Sequence, residues 1–349
     1  MKTVFVGLSG GVDSATSLAL LKQQGFSVVG AFIKIWQPEF IECTWREDRL
    51  DALRICASLD VPFREVDLSD EYKREVVDQM VADYTRGITP NPDVLCNEHI
   101  KFGVFMKWAL AQGADLLATG HYAQVKKVNG RAVLTRGVDT NKDQSYFLHR
   151  ISEAELNNVL FPIGALHKTD VRKRAIDFTI PVASKADSQG LCFVGDVSMR
   201  DFLRRYISVE HGPVFNISGA VVGEHEGAAL YTIGQRHGFT TTNAPDGTAH
   251  YVTAIDTNKN SITVSPHRQD ATKGKIQLRD MHWIGEPASF PFETMVQTRY
   301  REVPVRATLT KEGSVIMCTF DDPHLVSAGQ SLVMYEGEVC LGGGIIQVN

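Results

Sequence analysis

The stretch that decides the fold is Val4-Phe5-Val6-Gly7-Leu8-Ser9-Gly10-Gly11-Val12-Asp13-Ser14. An apolar, β-branched run over residues 3–8 predicts a strand, and a helical pattern over residues 15–24 follows it after a polar glycine turn. The first amides of a helix lack partners within the helix and lie at the positive end of its dipole. Two adjacent glycines also let the backbone approach an anion closely. The stretch therefore predicts a phosphate-binding turn, and so a nucleotide site, at the start of a βα unit.

The residues of this turn narrow the class of nucleotide site. They lack the Gly-Lys-Ser/Thr of a Walker A loop and the spacing of Gly-x-Gly-x-x-Gly. Ser-Gly-Gly-x-Asp-Ser at residues 9–14 instead resembles the pyrophosphatase loop of ATP-dependent adenylating enzymes, which split ATP between its α- and β-phosphates. The alternative is an ordinary glycine turn. The resemblance implies ATP with Mg²⁺ as cofactor, bound by the turn and by the ends of neighbouring strands: Gly7, Leu8, Ser9, Gly10, Gly11, Val12, Asp13, Ser14, Ile33 and Gly120.

The composition is typical of a soluble globular protein with two or three domains. Of the 349 residues, 43% are hydrophobic and 22% are charged. No apolar run approaches the ~20 residues of a membrane span, and the chain enters a strand without room for a signal peptide. We therefore expect a cytoplasmic protein with no membrane partner. The six cysteines are widely spaced, so neither a disulfide framework nor a zinc site is predicted, and we expect no metal-binding residues.

The middle of the chain is basic although the net charge is −5. Lys and Arg outnumber Asp and Glu over residues 101–174, which end in Arg172-Lys173-Arg174. This segment is either a track for a phosphate backbone or a solvated helix face, and charge alone does not decide between them.

Strands and helices alternate as far as Gly120. Strands are predicted over residues 27–34, 62–66 and 115–120, and helices over residues 46–59, 70–85 and 102–112. This order predicts an α/β fold with a doubly wound, mainly parallel sheet, which binds ligands at the carboxyl ends of its strands. The glycine turn, residues 33–35 and residues 120–122 should therefore lie together. Two further helices are predicted over residues 153–160 and 170–178.

The composition changes near Tyr206 to short alternating runs rich in glycine, valine and threonine. Such runs predict a small β-rich central domain followed by a C-terminal β-barrel. We place the domains at residues 1–205, 206–272 and 273–349.

The helical periodicity breaks over residues 89–99, Thr-Pro-Asn-Pro-Asp-Val-Leu-Cys-Asn-Glu-His. Two prolines predict a stiff, extended loop that presents Asp93 and Cys96 just before a helix. Another cysteine, Cys192, lies in the polar segment Ser-Gln-Gly-Leu-Cys-Phe. For any single cysteine, an inert and half-buried thiol is the alternative interpretation.

Several motifs follow one another in a single order along the chain: Gly-Leu-Ser-Gly-Gly-Val-Asp-Ser at 7–14, Thr-Pro-Asn-Pro-Asp-Val-Leu-Cys-Asn at 89–97, Ala-Thr-Gly-His-Tyr at 118–122, Asn-Lys-Asp-Gln-Ser-Tyr-Phe at 141–147, Cys-Phe at 192–193 and Leu-Gly-Gly-Gly-Ile at 341–345. Together they resemble the tRNA-specific 2-thiouridylases, members of the pyrophosphatase-loop superfamily that replace the C2 oxygen of the wobble uridine with sulfur. The resemblance covers essentially the whole chain.

The resemblance implies a mechanism and two partners, tRNA and a persulfide sulfur donor. The uridine C2 oxygen attacks the α-phosphate of ATP, and the adenylated base then accepts sulfur. Cys192 matches the persulfide carrier, Cys96 the nucleophile that releases its sulfur, and Asp93 the general acid/base. A Cys96–Cys192 disulfide would be a catalytic intermediate that thiols reset. The residues implied in tRNA binding are Asn91, Pro92, Asp93, His121, Lys142, Asp143, Gln144, Arg299, Tyr300 and Gln330.

Three other interpretations stay open from the residues. An amidating synthetase with ammonia as its nucleophile needs the loop but neither Cys96 nor Cys192. A non-catalytic RNA-binding protein needs no intact loop. An iron–sulfur cluster on Asp93 and the two cysteines is a minority alternative. The chain also departs from the family pattern at Ile35, where a polar residue is expected, in Ser-Gln-Gly-Leu-Cys, and at Ala328.

Overall fold

The computed structural model describes residues 1–41, 45–187, 197–242, 248–286 and 289–348. Its first unit contains a five-stranded sheet of β1 (Thr3–Leu8), β2 (Ser27–Lys34), β3 (Phe63–Asp67), β4 (Leu116–Ala118) and β7 (Val159–Leu160). The strands lie in the order β3-β2-β1-β4-β7, and all neighbours are parallel. Between β4 and β7, the strands β5 (Ala123–Val128) and β6 (Arg131–Arg136) form a hairpin outside this sheet.

The central strand β1 is covered on both faces. Phe5 packs in one hydrophobic cluster with Phe105, whereas Val4 and Val6 pack in another with Leu18. This alternation follows from the two-residue period of a strand, and helices pack against both faces of the sheet. The prediction of a doubly wound parallel sheet is therefore confirmed.

The helices of this unit form the two covering layers. They are α1 (Val12–Gln23), α2 (Trp45–Ser58), α3 (Ser69–Tyr72), α4 (Gln79–Thr85), α5 (Pro92–Leu95), α6 (Phe105–Ala111), α7 (Glu153–Leu156), α8 (Lys168–Asp177) and α9 (Met199–Leu203). A π-helical segment, Lys73–Asp78, joins α3 to α4, and another, Cys96–Val104, joins α5 to α6. The helix predicted over residues 70–85 is thus present with a widened middle turn.

The segment that contains Asp93 and Cys96 is not the predicted extended loop. Asn91 is the N-cap of α5, its side-chain oxygen accepts a hydrogen bond from Val94 N at 3.3 Å, and Pro92 occupies the first helical position. Proline is accepted there because its missing amide would have no partner within the helix. The prediction is therefore wrong from residue 92 onward. Asp93 lies in the first helical turn, and Cys96 begins the π-helical segment.

The helix predicted over residues 153–160 is also too long. α7 ends at Leu156, and Val159–Leu160 pairs with β4 as the last strand of the parallel sheet. Ser152 and Glu155 form a capping box that fixes the start of α7. Beyond the first turn of α7, strand pairing with the free edge of β4 is therefore favoured over continuation of the helix.

Two β-rich units follow, as predicted. The central unit contains β8 (Gly212–Asn216), β9 (Val221–His225), β10 (Phe239–Thr241), β11 (Tyr251–Asp256) and β12 (Ser261–Ser265), in the order β10-β9-β8-β12-β11. The last unit contains β13 (Thr272–Trp283), β14 (Phe292–Gln297), β15 (Val305–Glu312), β16 (Val315–Leu325), β17 (Ser331–Glu336) and β18 (Val339–Gln347). Its antiparallel order β13-β16-β15-β14-β17-β18 is closed by pairing of β13 with β18, so it is a six-stranded barrel.

The barrel is joined directly to the first unit. β6 pairs with β18, where Leu134 lies opposite Cys340, so the β5–β6 hairpin extends the barrel wall. Tyr146 Oη donates a hydrogen bond to Ser331 O at 2.9 Å across the same junction. Among the described helices, none is long and apolar enough to cross a membrane.

A buried histidine at this junction makes stability depend on pH. His149 has no exposed surface, its Nδ1 lies 2.9 Å from Tyr146 O, and burial lowers its pKa to about 3. The unfolded chain takes up a proton at this histidine below pH ~6.5, whereas the folded protein does not, so acid favours unfolding. We expect the wild type to lose about 2 kcal/mol of unfolding free energy at this site between pH 7.5 and pH 5.

His149→Gln should lack that part of the pH dependence, because glutamine does not titrate. Urea unfolding at pH 7.5 and pH 5 measures the difference, with His267→Gln, at an exposed position, as the control. Equal pH dependence in the wild type and both variants would contradict the prediction.

Candidate active site

The glycine turn leaves the start of α1 open to an anion. Gly11 is the N-cap of α1, and no side chain caps its first amides. Ser14 Oγ accepts a hydrogen bond from Ser9 N at 3.2 Å and lies 3.2 Å from Gly11 O, so the turn is braced by its own serine. The unpaired amides and the helix dipole therefore face one point at the carboxyl end of β1.

Gly10 is required in this turn for two reasons. Its φ is +72°, which L-residues with a side chain rarely adopt, and a Cβ atom there would lie 2.5 Å from Asp48 O. Lys185 links the turn to α2. Its Nζ lies 3.3 Å from Gly10 O and 2.8 Å from carboxylate oxygens of Asp48 and Asp51.

We expect Gly10→Ala to lower ATP-dependent AMP formation by about 10²-fold, because the turn must move to relieve the clash and misplaces its amides. Gly25→Ala is the matched control. Gly25 also has a positive φ, +86°, but nothing lies within 4 Å of its Cβ position. Steady-state AMP release compares the two variants, and equal losses would show that only backbone strain matters.

A cluster of charged side chains lies beside the turn. Asp13 accepts hydrogen bonds from Tyr122 Oη at 2.8 Å and from Lys168 Nζ at 2.7 and 2.8 Å. Lys168 also lies 2.8 Å from Asp187, which pairs at 2.8 Å with Lys142 and with one further cation, Arg172. Burial alone would raise the pKa of Asp187, but hydrogen bonds from Lys142 and Lys168 lower it to about 2. Three cations thus face two carboxylates, an excess of positive charge suited to a polyphosphate.

Burial and the nearby Asp13 charge raise the pKa of Tyr122, so the phenol keeps its proton and acts as a donor. Gly120 lets the segment after β4 reach the turn, because a Cβ atom there would lie 2.7 Å from Ser14 N. Ile33, at the end of β2, pairs with Val66 of β3 and is partly buried. The predicted ATP-binding residues of β1, β2 and β4 therefore lie at one edge of the sheet.

The helix that carries Asp93 and Cys96 lies next to this edge. Asp93 is exposed, but partial loss of hydration raises the pKa of its carboxyl, and the charge of Lys101 opposes that rise. Cys96 is half-buried. Asn97 Nδ2 donates to Phe147 O at 3.0 Å and so fixes the helix against the segment of residues 141–147. An exposed carboxylate and a half-buried thiol therefore share one anchored helical segment.

The other thiols of the described segments are unsuited to chemistry. Cys56, Cys318 and Cys340 are buried, and burial raises their pKa values to about 11, 12 and 12. Such thiols carry almost no thiolate at neutral pH. Cys192 lies outside the described residues, so its predicted role and the predicted disulfide with Cys96 stay predictions.

Residues 89–91 contact both β-rich units, since Thr89 Oγ1 lies 3.0 Å from Thr232 Oγ1 of the central unit. Gln330 Nε2 donates to Thr89 O at 3.0 Å and to Pro90 O at 3.1 Å. Arg299 Nη2 donates to Ile233 O of the central unit at 3.1 Å, and the neighbouring Tyr300 ring lies 4.5 Å from that of Phe147. Gln330 is therefore brought next to the segment that contains Asn91 and Pro92, whereas Arg299 and Tyr300 contact Ile233 and Phe147.

Four other predicted tRNA contacts have partners within the protein. Lys142 pairs with Asp187, and Gln144 Oε1 accepts from Tyr122 N at 2.9 Å. Asp143 and His121 are buried. Asp143 accepts hydrogen bonds from Gly137 N at 3.0 Å and from three other donors, in Arg136 and Ser145. Their contact with tRNA stays a prediction.

Sequence reasoning missed Lys101, Lys168 and Lys185, which the structure places at the site. Lys168 meets Asp13 across 155 positions of sequence, so its neighbours in the chain carry no signal for the contact. Within the described ranges, no group of three or more His, Cys, Asp or Glu side chains could hold a metal ion.

The glycine turn at the edge of a parallel sheet, followed by two β-rich units, defines a class of nucleotide-binding protein that family comparison identifies. The tRNA methyl transferase HUP domain family matches residues 2–196, the tRNA methyl transferase PRC-barrel domain family matches residues 200–266, and the Aminomethyltransferase beta-barrel domain family matches residues 273–346.

Full-length relatives make the assignment specific: the chain belongs to the tRNA-specific 2-thiouridylase family. It is 43% identical to the tRNA-specific 2-thiouridylase MnmA of Nitrosomonas eutropha over 98% of each chain. It is 43% identical to that of Cupriavidus metallidurans over 99% of each chain, and 40% identical to that of Yersinia pestis over 99% of this chain and 96% of the relative.

Proposed function

We propose that this protein is an ATP-dependent tRNA-uridine 2-sulfurtransferase. The observation that carries the proposal is the contact between the nucleotide turn and the thiol helix. Gly120 packs on Ser14 of the turn, and the next residue, His121, lies 3.4 Å from Lys101 on the helical segment that begins at Cys96. This chain of contacts supports an adenylation site and a nucleophilic thiol on adjacent segments of the fold.

The turn performs the first step, adenylation of the base. The uridine C2 oxygen attacks the α-phosphate of ATP, the new O–P bond forms, and the bond to pyrophosphate breaks. The open amides of α1 and the ammonium of Lys168 stabilise the charge that develops on the phosphates. This step turns the C2 oxygen into part of AMP, a good leaving group.

The side chains fit a Mg²⁺ ion bound mainly through the phosphates. The described side chains form no metal cage, but Asp13 keeps carboxylate lone pairs beyond those used by Tyr122 and Lys168. Asp13 would be the protein ligand, and the ion would neutralise charge on the departing pyrophosphate.

The thiols perform the second step. Cys96 attacks the persulfide of Cys192, which forms the Cys96–Cys192 disulfide and releases hydrosulfide. The hydrosulfide attacks C2 of the adenylated uridine, and the C2–O bond breaks with loss of AMP. Asp93, three residues before Cys96, takes up the thiol proton. A thiol reductant then reduces the disulfide.

The charged cluster supports a role for Cys192 in this step. Lys168 ties Asp187 to Asp13 of the turn. Cys192 follows Asp187 by five positions, and that length of chain spans at most about 18 Å. Asp187, from which the chain continues to Cys192, is thus held beside the nucleotide turn.

The target uridine would leave its stack to reach Asp93, with Asn91, Pro92, Tyr300 and Gln330 around it. We also propose that a separate persulfide donor supplies the sulfur and that the protein is cytoplasmic. The domain boundaries are proposed to lie after residues 205 and 272.

The experiment that tests the proposed function supplies the protein with ATP, a tRNA transcript and sulfide, and measures 2-thiouridine by nucleoside mass spectrometry. We expect 2-thiouridine and AMP from the wild type and from Cys192→Ala, because free sulfide replaces the persulfide. With a persulfide donor in place of sulfide, Cys192→Ala should be inactive. No 2-thiouridine from the wild type under either condition would overturn the proposal.

A further inference from the structure

Lys185 is a partly buried cation at the nucleotide turn to which the proposed mechanism gives no role. Its Nζ lies 3.3 Å from Gly10 O and 2.8 Å from one carboxylate oxygen each of Asp48 and Asp51. The two acidic residues lie three positions apart on α2, so they share one face of that helix. An ammonium has three donors, and these three oxygens use all of them. One side chain therefore joins the turn to α2.

The main chain of Lys185 is fixed independently of this contact. Arg172 Nη1 donates to Lys185 O at 3.2 Å, and Arg172 Nη2 donates to Asp187 Oδ1 at 2.8 Å. Lys168 pairs with both Asp187 and Asp13 of the turn. The segment of residues 185–187 is therefore attached to the turn at two points, and the Lys185 ammonium is held in place from both its ends.

The contact with Gly10 O sets the direction of the next amide. The carbonyl of Gly10 and the N–H of Gly11 belong to one planar peptide unit and point in opposite directions. Gly11 is the N-cap of α1, so its amide precedes the first amides of that helix. A cation that holds the carbonyl oxygen therefore also fixes the Gly11 amide, a donor of the kind that binds phosphate.

Lys185 also balances acidic charge beside the turn. Burial alone would raise the pKa of Asp51, but hydrogen bonds, first that from Lys185, hold it below its usual value, so this carboxylate is ionised. Arg54 Nη1 donates to Asp51 at 3.0 Å but makes no such link to the turn. Without Lys185, the carboxylates of Asp48 and Asp51 would lie near Gly10 with less positive charge beside them, and they would repel a polyphosphate.

We propose that Lys185 is a positioning residue of the nucleotide turn, which holds the Gly10–Gly11 peptide and balances Asp48 and Asp51 so that the turn accepts a nucleoside triphosphate. The inference rests on the proposed function and adds a residue to it. Lys185 acts through the turn and not by contact with the reacting atoms. Bound phosphates can themselves orient the Gly11 amide once the site is full, so loss of Lys185 should weaken nucleotide binding more than it slows turnover.

The test is the dissociation constant of α,β-methylene-ATP, an analogue that resists cleavage between its α- and β-phosphates, measured with Mg²⁺ by isothermal titration calorimetry. We expect Lys185→Met to raise this constant at least about ten-fold, because a charge-assisted contact is lost and two carboxylates are left less balanced. Lys185→Arg, which keeps the charge, should stay within about three-fold of the wild type. In pyrophosphate release with tRNA, Lys185→Met should raise KM for ATP by a similar factor and change kcat less than about three-fold.

Lys22→Met is the matched control. Lys22 lies in the last turn of α1, at the end away from the nucleotide turn, and its ammonium also donates to main-chain carbonyls, those of Leu59 and Asp60. Its loss removes a comparable tie on the same helix and should leave the dissociation constant unchanged.

Three outcomes would overturn the inference: a wild-type dissociation constant in Lys185→Met, an equal rise in Lys185→Arg, or an equal rise in Lys22→Met. If Lys185→Met does not fold, Lys185→Gln, which keeps a polar side chain without the charge, replaces it with the same expected rise. A wild type that binds the analogue but makes no 2-thiouridine would instead refute the proposed function, so the two failures are distinguishable.

Discussion

Cys96→Ser should abolish thiolation of tRNA by a persulfide donor, with a loss of at least about 10³-fold, while one equivalent of pyrophosphate is still released per tRNA. A serine hydroxyl is not ionised at neutral pH and cannot form the disulfide that releases the sulfur. Residues that act as one catalytic unit typically show losses of this size. Adenylation should persist because the proposed mechanism assigns it to the glycine turn and the charged cluster, not to the thiol.

A rapid-quench measurement of pyrophosphate and 2-thiouridine on the same samples separates the two steps. Cys56→Ala is the control, since the Cys56 thiol is buried between α2 and the sheet, away from the cleft. Thiolation at the wild-type rate by Cys96→Ser would remove Cys96 from the mechanism. Loss of the pyrophosphate burst in that variant would mean that the thiol also supports adenylation.

Lys168→Met should lower pyrophosphate release by about 10²- to 10³-fold. Its ammonium is 2.7 Å from Asp13 and 2.8 Å from Asp187, beside the glycine turn where we propose that the phosphates of ATP bind. Removal of one charge that stabilises a transferring phosphate typically costs that much in rate. The two carboxylates would also be left with less positive charge, and this would repel the nucleotide.

Lys173→Met is the matched control, because Lys173 is exposed on the same helix, α8. Initial rates of pyrophosphate release at saturating tRNA give the comparison. Unchanged ATP use in Lys168→Met, or an equal loss in Lys173→Met, would contradict the role given to the cluster.

Local patterns were sufficient to predict the elements that depend on local rules. The strands over residues 3–8 and 27–34 have the predicted bounds, because short apolar runs rich in β-branched residues have few alternatives. Residues 92–99 were predicted wrongly because Pro92 was taken to stiffen a loop, whereas proline at the first position begins a helix. The strand Val159–Leu160 depends on the free edge of β4, which no local pattern reveals.

The same distinction holds for the residues of the candidate site. The glycine turn and Cys96 could be predicted from the residues next to them in the sequence. Lys101 and Lys168 could not, because their partners His121 and Asp13 lie 20 and 155 positions away and are brought close only by the fold. The resemblance to the family supplied the order of the motifs but not the contacts between them.

The most direct test of the central claim follows one oxygen atom. A tRNA transcript whose target uridine carries ¹⁸O at C2 is thiolated with ATP and a persulfide donor, and the AMP is analysed by mass spectrometry. Because the proposed mechanism bonds the C2 oxygen to the α-phosphate and releases it with AMP, we expect one ¹⁸O atom in AMP for each 2-thiouridine formed. Unlabelled AMP formed together with 2-thiouridine would contradict adenylation of the base by this protein.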